Sequence, residues 1–560
     1  MAELPLNSNG KVDRRKLPQP VREDHDKRPI IAPRNPLEET WAQIWSLTLR
    51  IAQVSIEDNF FELGGDSILA LKLISRARQR GLRVTLKDLF NSPTIRALSA
   101  IQPVWDEVPS RSPAQSALDD QDSLEQTVIQ LVGDAANVAD FFPLSPMQQG
   151  ILFHSLFDPA PGRYVEQFRW TLRSLNTEAF NKAWQMILHR YPVLRSAFFW
   201  EGLERPVQVV LRQAQLPIEE ADLRGMDQAE QEKRIREHTN LSPQPRGFDF
   251  RSAPLMRLRL CRTSDEEQVC LWSYHHLLLD GWSRNLVLAE VEKFYEAICR
   301  GEEVKIEPDT SHRSYVEWLG EQDLEQAQSF WRQMLHDFIS PTSLIDCGHS
   351  TADAPGGGEF AQHRSYLPQE VTLAVSAQAR KHGLTLNTVV LGMWAFLLSR
   401  YSGEADVLFG SVVSGRPAAL PDSESMVGMF INTLPVRVQV EYDAALIDCL
   451  KGLQSGLAAA RQFEYSSLAQ VQRCSGVEAG KKLFNHFLIF ENYPGDAESK
   501  WEGTDLPALD TGYPLYCMIS PGERLCLHFI YDSDRFDPGT IERMAGHYRS
   551  LLGGMVADAG

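Results

Sequence analysis

The sequence predicts a small all-α unit followed by a larger mixed α/β region, and three observations lead there. At 560 residues the chain exceeds the ~250–300 residues that one hydrophobic core organises, so more than one domain is expected. Residues 36–101 place apolar side chains at helical spacing. From Phe141 onward, strand-like runs such as Val269-Cys270-Leu271-Trp272-Ser273-Tyr274 precede helix-like runs such as Ser283 to about Ile298.

Composition narrows the classes. A hydrophobic share of 43% and a charged share of 23% are those of a globular protein. A formal charge of −18 lacks the basic face of a nucleic-acid binder. No apolar run is long enough to span a bilayer and no secretory signal opens the chain, so neither nucleic acid nor membrane is an expected partner. The 8 cysteines show no CxxC spacing and are expected to be buried free thiols in a reducing cytoplasm.

In chain order, residues 1–35 are polar and rich in Pro and Arg, with no sustained period. Within them Leu6-Asn7-Ser8-Asn9-Gly10-Lys11-Val12-Asp13-Arg14 resembles the last motif of adenylation domains. That resemblance implies a remnant of such a domain and a linker, inert without the rest of the domain. Residues 36–101 form the helical unit. Leu37, Trp41, Ile44 and Trp45 predict a first helix from about Pro36 to Leu49. After the turn-forming Gly64-Gly65, Asp66 or Ser67 suits a helix N-cap, and Ile68, Leu71, Ile74 and Ala77 line one side of the helix that follows. Leu86–Phe90 and Pro93–Ile101 supply two more helices, completing a four-helix bundle. Taken alone, Gly-Asp-Ser is a capping serine. The whole string Asp58-Asn59-Phe60-Phe61-Glu62-Leu63-Gly64-Gly65-Asp66-Ser67-Ile68, however, resembles that of peptidyl carrier proteins. The resemblance implies covalent 4′-phosphopantetheine on Ser67, drawn from coenzyme A by a phosphopantetheinyl transferase. Residues 102–138 hold few large apolar side chains and read as a linker, with a short helix near Leu124–Leu131.

The most informative stretch is His275-His276-Leu277-Leu278-Leu279-Asp280-Gly281, between the strand-like and helix-like runs. Side chains of a strand alternate between faces, so one imidazole can face a reaction space while the other packs inward. Asp280 follows closely enough to orient part of the site, and Gly281 permits close backbone approach. A bare His-His pair is more often structural. Here it stands in series with Phe142-Pro143-Leu144-Ser145-Pro146-Met147-Gln148-Gln149-Gly150, His189-Arg190-Tyr191-Pro192-Val193-Leu194-Arg195-Ser196-Ala197-Phe198 and Tyr315-Val316-Glu317-Trp318. Asp406 through Pro417, Gly428 through Pro435, Phe490-Glu491-Asn492-Tyr493-Pro494 and Arg535-Phe536-Asp537 complete the series. Together these resemble the HHxxxDG and flanking motifs of condensation domains of nonribosomal peptide synthetases. The resemblance implies a chloramphenicol-acetyltransferase-like fold of two similar lobes, about 139–310 and 311–560. No internal repeat marks that division, which rests on the family analogy.

The chemistry implied is amide formation. The amine of an acceptor aminoacyl thioester, on a downstream carrier, attacks a donor aminoacyl or peptidyl thioester held on Ser67. An upstream adenylation domain would load the donor, and a second one the acceptor. Aminolysis needs a neutral amine, an outlet for its proton and stabilisation of an oxyanion. His276 is the expected catalytic imidazole, acting either as base or as holder of the amine, with His275, Asp280 and Gly281 around it. The family pattern implies that Asp280 pairs with an arginine, Arg195 in preference to Arg416. Asn432 either lines the channel or faces the core. A metal is not expected, because adjacent strand residues diverge.

An epimerisation domain shares the motif, and Gly-Gly-Asp-Ser leans toward that partner; a domain that both epimerises and condenses is a variant of this alternative. Trp282-Ser283 and the Ser-Pro-Met-Gln opening are more similar to condensation domains. A degenerate member that only recruits other proteins is the third reading, and the intact His275, His276, Asp280 and Gly281 oppose it. Phe153-His154-Ser155-Leu156 and Tyr164-Val165-Glu166-Gln167 are similar to condensation domains that take a D-configured donor.

Overall fold

A computed structural model describes residues 30–65, 67–82, 84–101, 121–157, 162–239, 247–307, 309, 311–344, 360–478, 481–491, 501, 503–505 and 510–557. The adenylation-like string, Asp66 and Asn492-Tyr493-Pro494 lie outside the described residues.

Four helices make the first unit: α1 (Pro36–Leu49), α2 (Ser67–Gln79), α3 (Leu86–Asn91) and α4 (Ile95–Ala100). Their starts follow from capping. Asn35 accepts the Glu38 N–H at 2.9 Å ahead of Pro36, Thr85 and Asp88 form a capping box, and Thr94 accepts from Ala97. Each such cap stabilises by about 1 kcal/mol. Trp41, Ile44 and Trp45 turn one face of α1 into the core, where Trp45 meets Phe60 edge-on at 5.3 Å. A Cβ at Gly65 would lie 2.3 Å from the Phe60 ring, so only glycine fits this turn, which delivers the chain to Ser67 at the start of α2. Next comes α5 (Gln121–Val132), whose Val128 packs on Ala197, Phe199 and Val209.

The larger region begins with β1 (Val138–Pro143), α6 (Pro146–Phe157), β2 (Val165–Arg173) and α7 (Thr177–Arg190). It continues through β3 (Ser196–Phe199), β4 (Val207–Leu211), β5 (Ile218–Asp222), α8 (Gln228–Arg236), β6 (Met256–Arg262), β7 (Glu267–His275) and α9 (Gly281–Cys299). Then follow α10 (Ser311–Gly320), α11 (Leu324–Met334), β8 (Phe360–Tyr366), α12 (Gln369–Lys381) and α13 (Leu386–Ser402). Last come β9 (Asp406–Val413), β10 (Asn432–Gln439), α14 (Leu446–Arg461), α15 (Leu468–Arg473), β11 (His486–Phe490), β12 (Gly503–Asp505), β13 (Leu515–Ser520), β14 (Cys526–Asp532) and α16 (Pro538–Ala557).

Two central sheets dominate, of order β12-β2-β7-β6-β5 and β10-β9-β11-β13-β14-β8. The second is covered by α13, which is apolar nearly all round because it is enclosed between α14, α16 and the sheet. The small unit and the larger region share a boundary. Phe90 lies 5.5 Å from Phe153 and 4.8 Å from Phe157 of α6. Around these rings Lys72 and Arg76 pair with Glu204, and Arg78 with Glu201 at 2.6 Å. The predicted all-α unit followed by mixed α/β sheets is thus observed. One expectation is corrected: Cys261, Cys270 and Cys517 are buried, but Cys299 is exposed at the last turn of α9 and Cys449, Cys474 and Cys526 are half-buried. Among the described residues no single helix is long and apolar enough to cross a membrane.

Candidate functional site

The histidine turn is held from three sides. His275 ends β7, pairs in register with Val165 of β2, and donates its N–H to the Leu255 carbonyl at 2.9 Å. Its ring packs edge-on against Phe250 at 4.9 Å, and its Nδ1 accepts the Leu277 N–H at 3.2 Å. Burial lowers its pKa to about 3, so it is a neutral, inward-packed residue. His276 has left the strand; its N–H bonds the Tyr164 carbonyl at 2.8 Å, and the ring turns the other way. From the first motif, Ser145 and Gln148 cap α6 reciprocally, and Gln148 Nε2 donates to the Leu277 carbonyl at 3.0 Å.

The His276 tautomer follows from its contacts. Nδ1 lies 2.6 Å from the Leu279 carbonyl, an acceptor only, so Nδ1 carries a hydrogen and Nε2 is the basic atom of the neutral ring. Nε2 lies 3.5 Å from Glu166 Oε1. Glu166 stands opposite Tyr274 across the β2–β7 pair and is therefore a diagonal neighbour of His276. Its other oxygen accepts the Tyr274 hydroxyl, with Arg284 at 3.7 Å. Burial and the adjacent carboxylate hold the Tyr274 phenol protonated, well above its usual range. Glu166 and Arg284 were not among the residues expected here. Only the strand register, which spacing does not reveal, brings them to the imidazole.

Asp280 is wholly buried and caps α9, accepting the Ser283 N–H at 2.7 Å on Oδ1. Its Oδ2 accepts Phe430 N–H at 3.0 Å and Ile431 N–H at 3.4 Å, and its own N–H goes to the Gly428 carbonyl. Ser283 Oγ completes the tie, donating to the Gly428 carbonyl and accepting the Gly428 N–H. Gly428 has no room for a side chain, since a Cβ would sit 2.2 Å from His312. Gly281 is simply the first residue of α9.

One expected preference is corrected. The arginine facing Asp280 is Arg416, not Arg195: Arg416 Nη2 lies 3.5 Å from Asp280 Oδ1 and 2.9 Å from Ser283 Oγ, with the Phe430 ring 4.2 Å from its guanidinium. Burial lowers the Arg416 pKa and Asp280 opposes that shift. Arg195 instead satisfies the carbonyls of Leu188, His189 and Leu211, where the end of α7 meets β4. It also lines a cavity of about 620 Å³ with His189 and Arg212, apart from the histidine turn. Of the two places left open for Asn432, it takes the core-facing one. Both hydrogens of its amide go to the Glu464 and Ser466 carbonyls at 2.7 Å, which fixes β10 to the loop before α15. Ser67 is the first residue of α2, and Asp66 falls outside the described residues. Among the described residues no three His, Cys, Asp or Glu side chains converge as metal ligands.

Buried histidines predict an acid sensitivity. His275, His312 and His486 are lowered by burial to about 3, 4 and 4. Between pH 6.5 and about 4 the unfolded chain takes up protons that the folded one refuses, so stability is complete above 6.5 and falls with pH. The slope approaches about 1.4 kcal/mol per pH unit for each such histidine. A melting temperature constant from pH 7 to 4.5 would contradict this.

Comparison with known proteins agrees with the geometry. Residues 138–559 match the condensation-domain family model, and residues 42–101 match the phosphopantetheine attachment site model. The chain is 40% identical over 438 residues to a component of the linear gramicidin synthase of Brevibacillus parabrevis, covering 77% of this chain and 8% of that protein. It is 33% identical over 538 residues to malpinin synthetase of Mortierella alpina, covering 91% and 7%. The chain thus spans under a tenth of the length of these relatives. Among solved structures, the first condensation domain of the CDA synthetase superposes with a TM-score of 0.61 at 18% identity, covering 75% of this chain and 97% of that one. The X-domain from teicoplanin biosynthesis gives 0.63 at 19%, covering 75% and 95%, and both show the shared fold. A helical carrier unit, a sheet that ends in paired histidines and these matches together place the chain in the condensation-domain family of nonribosomal peptide synthetases, behind a phosphopantetheine-attachment domain.

Proposed function

We propose that this condensation domain forms a peptide bond, transferring a donor acyl group from phosphopantetheine on Ser67 to the amine of an acceptor aminoacyl thioester. The observation that carries this is the His276 imidazole, whose Nδ1 is committed to the Leu279 carbonyl while Nε2 presents a lone pair. The acceptor amine attacks the thioester carbonyl, the C–N bond forms, and the amine's proton passes to Nε2 or is held there. The collapsing intermediate expels the pantetheine thiolate, which takes a proton to leave as thiol. Thioesters are activated, so alignment of amine and carbonyl supplies much of the rate.

Epimerisation is the second reading. A two-base inversion sets its groups on opposite faces of the α-carbon, about 6 Å apart if each is within hydrogen-bond reach. Glu166 Oε1 and His276 Nε2 are 3.5 Å apart, closer than two bases flanking an α-carbon, which favours condensation. The partners of the reaction are a phosphopantetheinyl transferase, an upstream adenylation domain and a downstream acceptor carrier with its own adenylation domain.

The test is to charge the chain with matched L- and D-aminoacyl pantetheine, add one loaded acceptor carrier, and follow label by intact mass. Transfer is expected, faster from the D-donor, and Ser67→Ala is expected to abolish both the phosphopantetheine mass increase and transfer. An inverted donor without transfer supports epimerisation. Charging that persists in Ser67→Ala overturns the attachment site.

A further inference from the structure

A group of charges lies between α6, on which the carrier packs, and the histidine turn, and the reaction above makes no use of it. Arg163 precedes Tyr164, whose carbonyl receives the His276 N–H. Arg163 bonds Asp510 at 3.1 and 3.2 Å, and the Tyr164 hydroxyl donates to the Thr511 carbonyl at 3.0 Å. The 510–513 segment is therefore clamped to the start of β2. Lys482 meets the same segment, its Nζ donating to the Gly512 carbonyl at 2.6 Å and lying 4.4 Å from the Tyr513 ring centroid. Arg535 is close enough to act on Lys482 and has Asp532 at 3.8 Å.

The charges do not balance. Arg163 and Arg535 each face an aspartate, whereas Lys482 has no carboxylate within ion-pair distance among the described residues. Lys482 is exposed at its surface, and the surrounding protein first, then Arg163 and Arg535, lowers its pKa to about 8, with Asp510 only partly opposing them. His154, beside Phe153 on α6, lies within range of both Lys482 and Arg163; burial first, then those charges, lowers its pKa to about 3, so it is neutral. An ammonium held among cations is relieved by a bound anion.

We propose that Lys482, backed by Arg163 and the Tyr513 ring, binds the phosphodiester of the carrier's phosphopantetheine arm; this rests on the proposed function, in which the arm brings the donor thioester to His276. The phosphodiester is the arm's one charged group, since its amides and thioester are neutral. The cluster adjoins the carrier end of the arm's route, where the phosphodiester is bonded to Ser67. His154 follows Phe153, which lies 5.5 Å from Phe90 of α3, and their helix α6 also packs against α2, the helix that begins at Ser67. From there the neutral part of the arm runs on toward Tyr164, the neighbour of Arg163, whose carbonyl receives the His276 N–H.

The experiment uses the full chain carrying Ser67→Ala, so that no arm of its own occupies the site. It is titrated separately with 4′-phosphopantetheine, with pantetheine, which lacks the phosphate, and with inorganic phosphate. The phosphorylated arm is expected to bind about tenfold more tightly than pantetheine, with the preference lost in Lys482→Gln and regained in Lys482→Arg. Equal binding of the two arms, no binding of either, or a preference that survives Lys482→Gln overturns the site. Inorganic phosphate binding as tightly as the phosphorylated arm would make it a general anion site and overturn the arm assignment. Neither arm carries an acyl group, so this result is independent of peptide-bond formation: transfer can fail with the preference intact, or persist without it.

Discussion

His276→Ala is expected to slow transfer by about 10²–10⁴-fold, far beyond what its loss of folded protein explains. The ring is buried and makes one hydrogen bond, to the Leu279 carbonyl, so its removal lowers the melting temperature, but it also takes away the only imidazole nitrogen of the turn with a free lone pair. The lower end of the range applies if alignment of the activated thioester supplies most of the rate. His275→Ala should do the reverse. It strips the acceptor from the Leu277 N–H and opens a void against Phe250, costing about 1–3 kcal/mol for the stranded donor before the cavity is counted. Its activity loss should follow the folded fraction. Steady-state transfer together with thermal melting separates the two variants; equal rate losses in two well-folded proteins would remove His276 from its role.

Asp280→Ala is expected to cost about 3–5 kcal/mol of stability, with soluble yield and transfer falling together. The substitution removes the cap of α9, strands the Phe430 and Ile431 N–H groups, and leaves the Arg416 guanidinium, whose side chain is 2% exposed, without its carboxylate. Because these bonds run from the histidine turn to residues 428–431, the loss also loosens the turn against the C-terminal part of the chain. Coupling tells whether the stranded charge dominates. Adding Arg416→Met to Asp280→Ala should restore part of the melting temperature, giving a double-mutant interaction of about 0.5–3 kcal/mol. An unchanged melting temperature with abolished transfer would instead assign Asp280 to the chemistry.

How much of this was legible beforehand follows the range of each interaction. The first helix runs over Pro36–Leu49 as its spacing predicts, because Asn35, Pro36 and the Trp41-Ile44-Trp45 face all act within one helix length. The strand before His275 and the helix after Asp280 were readable for the same reason. Capping, periodicity and turn glycines are local, and a motif string long enough to be specific carries the family with it.

What the sequence determined by itself was the set of local elements, the family and the identity of the paired histidines. Tertiary structure alone decided who stands beside them. Arg195 and Arg416 carry the same group and both sit in family-like strings, but the guanidinium of Arg195 is consumed by three carbonyls, which leaves Arg416 for Asp280. Glu166 reaches His276 only through the β2–β7 register, and β12 joins the sheet of β2 from far along the chain, with Gly503 opposite Trp170. Asn432 looked as suited to a channel as to a core until two carbonyls claimed its amide. In each case the deciding quantity is a hydrogen bond or a few ångströms between residues distant in the chain, and such distances have no period for a sequence to display.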